Sequence, residues 1–76
     1  MKVDTLDVGD SFTNSERTRV KVLTADTIGE EVKCVLKRME GPLQGASNVH
    51  TFPIVNGQID LGESTNFRPA PKRIVH

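Results

Sequence analysis

Residues 17–42 read RTRVKVLTADTIGEEVKCVLKRMEGP, and the fold turns on how this stretch divides. Its first part alternates. Arg19, Lys21 and Leu23 fall on one side of an extended chain, and Val20, Val22 and Thr24 on the other. That period of two marks a half-buried strand. The second part, 26–42, satisfies two patterns. As a helix, Thr27 and Glu30 have the spacing of a capping box. Ile28, Val32, Val35, Leu36 and Met39 then form an apolar stripe. Glu30 and Glu31 stand early, Lys37 and Arg38 late, and Gly41-Pro42 would end it. As a strand, Val32, Cys34 and Leu36 share one face, with Lys33, Val35 and Lys37 on the other. Residues 26–31 become the connection, with Gly29 inside it. The strand is preferred, since glycine in the first helical turn costs about 1 kcal/mol against alanine. The preceding strand also needs a neighbour, and the next element in sequence usually supplies it.

Working outward, Val8-Gly9-Asp10 and Asn14-Ser15-Glu16 are turn signals flanking Ser11-Phe12-Thr13. Residues 42–48 form a loop rich in Gly, Pro, Ser and Asn. Asn56-Gly57 lies between two alternating runs, 50–55 and 58–61. This is the strongest short hairpin signal, because a type I′ turn needs positive φ at both central residues. Phe52 and Ile54 should share a face, with Ile59 and Leu61 opposite. Pro53 cannot donate to a ladder, so its strand should be paired on one side only. Residues 62–71 read as extended, with Phe67 available as an anchor. These elements predict a mostly β protein, a small SH3-like five-stranded barrel or half-barrel over residues 1–66. The extended basic tail is 67–76. The alternative is an α+β fold with a helix at about 28–40 packed on a small antiparallel sheet.

Composition agrees with short strands. Nine Val and four Ile stand against five Leu, and there are six Gly and four Pro. With 76 residues the chain is one domain with a thin core. Ten basic and ten acidic residues leave zero formal charge, which argues against a generic polyanion binder. The distribution is uneven, at −3 over residues 1–16 and +3 over 64–76. No Asp, Glu, Lys or Arg occurs from 41 to 59. The apolar residues of that stretch, Leu43, Val49, Phe52 and Ile54, exceed what a small core can bury. The surplus points to a partner or homo-oligomer interface. The single Cys34 excludes an internal disulfide. Acids at positions 4, 7 and 10 interrupt any signal-peptide core, and no apolar run is long enough to span a membrane. A cytoplasmic protein is expected.

Residues 35–45, Val-Leu-Lys-Arg-Met-Glu-Gly-Pro-Leu-Gln-Gly, resemble the strand-turn segment of KOW-type SH3-like domains. Those domains occur in transcription elongation factors and ribosomal proteins. The resemblance covers eleven residues and implies a small barrel; it assigns no functional residue.

The chemical motifs are sparse. Phosphate-loop, dinucleotide, nucleophile-elbow and HExxH signatures are absent. His50, His76 and Cys34 are too dispersed for a zinc site, and neither a metal nor another cofactor is expected. A Cys34–His50 nucleophile pair competes with a buried, inert thiol. Glu30-Glu31 and Asp60 with Glu63 read as solvated turn acids. The positive feature is a sheet face. If Val20 opposes Arg38, Val22 opposes Leu36 and Thr24 opposes Cys34, one face carries Arg19, Lys21, Lys33 and Lys37 around Leu23 and Val35. A basic ring about an apolar centre suits an anionic partner.

The function expected is therefore a non-enzymatic binding module. A short intracellular chain running from its own Met1 resembles in type the accessory proteins of phages and mobile elements. Those bind and modulate or inhibit a host protein, such as a defence or transcription component. Arg19, Lys21, Leu23, Lys33, Val35 and Lys37 are the expected contacts. The alternatives are a nucleic-acid-binding small barrel and an oligomeric binder of a small anionic ligand such as a nucleotide signal. The face lacks aromatics for stacking on single strands.

Overall fold

The computed structural model describes residues 1–71. Among these described residues there are seven strands and no helix: β1 (Lys2–Val3), β2 (Ser11–Thr13), β3 (Arg19–Ile28), β4 (Glu31–Arg38), β5 (Ser47–Val55), β6 (Gln58–Asp60) and β7 (Thr65–Arg68). They form one antiparallel sheet in the order β1-β6-β5-β4-β3-β2-β7. The sheet curls into a half-barrel, as connectivity requires. β6 and β7 lie five places apart in the order, about 24 Å in a flat sheet. Residues 61–64 alone join them, a link that reaches at most about 18 Å when fully extended. Only a curled sheet brings the two ends within that reach.

The strand reading of 32–37 holds, with β4 running one residue further at each end, and no helix forms at 28–40. Val32, Cys34 and Leu36 are buried beside Val20 and Val22 of β3. A helix would have left that β3 face without a partner. The connection is shorter than expected: β3 runs on to Ile28, opposite Glu31, and only Gly29 and Glu30 turn the chain. Gly29 has φ 62°, which a glycine adopts without steric cost. The Asn56-Gly57 hairpin forms with φ 52° and 78°, as a type I′ turn demands, and sets Ile54 opposite Ile59. β1 and β7 raise the strand count from the expected five to seven.

The core is Leu6, Phe12, Val20, Val22, Val32, Cys34, Leu36, Ile59 and Leu61, with Phe52, Ile54 and Phe67 packed against it. Phe12 is fully buried and meets Phe52 edge to face at 6.2 Å. One buried carboxylate ties the loops together. Asp10 accepts the Asp7 N–H and the Ala70 N–H, each at 2.7 Å, through its two oxygens. Of the tail read at 67–76, Phe67 and Arg68 lie in β7, and residues 72–76 fall outside the described residues.

Candidate functional site

The register of the five strands from β7 to β5 builds the convex outer face row by row. Val20 opposes Arg38 and Val22 opposes Leu36, as expected, but Thr24 opposes Val35 and not Cys34. A bulge at Leu23 causes the shift. Leu23 has no opposite residue, so the register advances by one and Ala25 takes the place beside Cys34. The bulge leaves Leu23 exposed on the outer face next to Thr24.

One row crosses five strands: Arg68, Ser11, Lys21, Lys37 and Ser47 are successive opposite residues. The next carries Thr24, Val35 and Val49, with Leu23 alongside. A third carries Asp26, Lys33 and Thr51. Basic side chains thus lie on both sides of an apolar row. Val49 is 58% exposed and Leu23 38%. Lys21 and Lys37 are directly opposed like charges, an arrangement that costs stability by itself. Among the described residues the one ion pair within 4 Å is Arg38–Glu16 at 3.0 Å, so Lys21, Lys37 and Arg68 have no carboxylate partner there, whereas Lys33 stands directly opposite Asp26.

All six expected contact residues lie on this face, but Arg19 is already occupied. Its guanidinium donates to the Asn66 carbonyl and to Ser11 Oγ, each at 2.6 Å. It clamps β3 to β2 and β7. Arg68 and Val49 join the face instead. Arg68 arrives because β7 is irregular: Ser11 opposes Arg68 while Thr13 opposes Thr65, and Asn66 has φ 53°. Asparagine is the residue that most readily takes this conformation after glycine, the one sequence hint of the kink. Val49 was legible as surplus apolar surface but not as part of this row.

Cys34 and His50 are opposite residues, yet their side chains do not form a nucleophile pair. The Cys34 thiol donates to the His50 carbonyl oxygen at 3.5 Å, while the imidazole stacks on Phe52 at 6.2 Å. Burial pushes the thiol up to about 11, so it stays protonated at neutral pH. Among the described residues no three His, Cys, Asp or Glu side chains gather as metal ligands.

Two concavities open at the ends of the half-barrel. One, about 260 Å³, is lined by Asp4, Asp7, Ala25, Thr27, Ile54 and Ile59 among others. The other, about 170 Å³, lies between Phe12, His50, Phe52 and the 61–64 turn, with Glu16, Arg38 and Glu63 at its rim. Among the described residues the first presents acids without a basic residue. In the second, Arg38 is already paired with Glu16. Among the described residues neither lining carries a net positive charge. No family model, curated protein or solved structure matches the chain. No helix of the described residues is long and apolar enough to cross a membrane.

Proposed function

We propose that the chain is a non-enzymatic binding module whose outer sheet face docks on an acidic, partly apolar surface of a larger protein. Its mode of action is occupancy. By covering that surface it modulates or inhibits the partner in the cytoplasm, as accessory proteins of the phage and mobile-element type do. The observation that carries this reading is the cross-strand row of Arg68, Lys21 and Lys37 beside an apolar row in which Leu23 and Val49 are exposed and Val35 is half-buried. Opposed lysines without carboxylate partners lower the stability of a thin-cored fold. An anionic partner offsets that cost on binding.

A protein suits the face better than a nucleic acid. Protein interfaces combine an apolar centre with a polar rim, and this face does so. The three phenylalanines lie in the core or packed against it, so the outer face offers none for base stacking. Zero net charge also leaves the long-range attraction to polyanions weak.

Affinity capture from cell extract tests the reading, run with and without nuclease. A protein retained by the native chain after nuclease, and lost by Lys21→Glu/Lys37→Glu, supports it. Retention abolished by nuclease supports a nucleic-acid-binding barrel. Equal capture by both forms overturns the proposed face.

A further inference from the structure

We infer that the open edge of β5 pairs, antiparallel, with the same edge of a second copy of this chain. β5 is nine residues long. β4 pairs with its residues 47–53, but on the other side β6 pairs only with Ile54 and Val55. Beyond Asp60 the chain leaves the sheet: Leu61 is buried in the core and its N–H donates to the Met1 carbonyl at 2.8 Å.

The backbone directions follow from two hydrogen bonds. The Ile54 N–H donates to the Glu30 carbonyl at 2.7 Å, and the Arg38 N–H donates to the Ala46 carbonyl at 2.8 Å. Even-numbered positions of β5 therefore face β4. The N–H and C=O groups of Ser47, Val49 and Thr51 face the open side, since these directions alternate along a strand. None has a partner among the described residues. Pro53 fits the same parity: its missing N–H lies on the open side, where the β4 ladder loses nothing.

Edge strands are normally guarded by Lys, by inward charges or by a covering element. This edge has no charge, and it sits inside the stretch 41–59 that lacks Asp, Glu, Lys and Arg altogether. The missing charge selects the occupant. A two-fold contact sets each surface against its own copy, so any charge near the axis meets its like. An uncharged edge avoids that penalty. It offers an acidic partner nothing, whereas the basic face does. With the axis at Val49, Val49 meets the second copy's Val49, and Ser47 meets the second copy's Thr51. Each such pair exchanges both N–H···O bonds. The apolar row of Leu23, Val35 and Val49 then continues across the axis, joining two basic faces into one surface.

Sedimentation equilibrium from micromolar to millimolar concentration tests this. The native chain should rise from its 8.4 kDa mass to twice that mass. Val49→Pro should remain monomeric with an unchanged far-UV spectrum, because it removes an N–H facing away from β4. Should Val49→Pro not fold, Val49→Lys keeps every backbone group and sets like charges across the axis; it too should stay monomeric. Amide exchange at Ser47, Val49 and Thr51 should slow as the concentration rises. A constant 8.4 kDa mass would overturn the inference. So would a dimer that survives either folded variant, or edge amides that are equally protected at every concentration.

Discussion

Lys21→Glu should make the fold more stable while weakening the face. In the native chain Lys21 is exposed, directly opposite half-buried Lys37 and two strands from Arg68, with no carboxylate partner among the described residues. Directly opposed charge pairs are worth about 0.2–1 kcal/mol, favourable when opposite in sign and unfavourable when alike. Reversing one charge removes a repulsion and adds an attraction, for a net gain of about 0.5–1.5 kcal/mol. In a domain of this size that raises the melting temperature by roughly 3–8 °C. Salt gives the sharper readout. Screening weakens the native repulsion, so the native chain should gain stability as ionic strength rises. The variant should lose it, since screening now weakens an attraction. Urea denaturation at low and high sodium chloride measures both. A destabilised variant, or one whose salt slope has the native sign, would refute the claim that Lys21 and Lys37 work against the fold.

Other perturbations probe the frame that holds the face. Phe12→Ala removes a fully buried ring from a nine-residue core and should cost about 3–5 kcal/mol, read as the fall in urea midpoint. Asp10→Ala should cost about 2–4 kcal/mol, because the Asp7 and Ala70 N–H groups lose a buried acceptor. Asp10→Asn should be nearly as damaging, since its NH₂ group would face one of those donors. Cys34 makes the fold sensitive to alkali. Its folded thiol ionises near 11 against 9.0 unperturbed, so its contribution is complete below pH 9 and is lost as pH rises towards 11. The loss should reach about 2–3 kcal/mol and be absent in Cys34→Ala.

Much of this architecture is legible where periodicity and turn chemistry agree. Val20 and Val22 declare a strand, and Asn56-Gly57 fixes its hairpin because few other pairs adopt two successive positive φ angles. Residues 28–39 are harder, since their apolar positions suit both periods. The tie breaks on a fact outside the segment, the unpartnered face of β3. The Leu23 bulge has no local signature: Leu23 is an ordinary strand residue, and its extra position is set by pairing across the sheet. β1 and β7 escape for a related reason, being two and four residues long and held by contacts far away in sequence. The same logic divides the site. The alternation of 19–25 and 33–37 puts all six expected residues on one face. It cannot show that Arg19 is spent on Ser11 and Asn66, or that a kink at Asn66 delivers Arg68 beside Ser11.

In the proposed binding mode a partner sits on the row of Arg68, Lys21 and Lys37, with Leu23, Val35 and Val49. Amide chemical-shift mapping of the labelled chain, titrated with the protein it captures from nuclease-treated extract, tests this residue by residue. Shifts should concentrate at Lys21, Leu23, Val35, Lys37, Val49 and Arg68, with Asp4, Asp7, Thr27 and Gly57 unmoved at the acidic concavity. Shifts confined to that concavity, with the basic row silent, would contradict it.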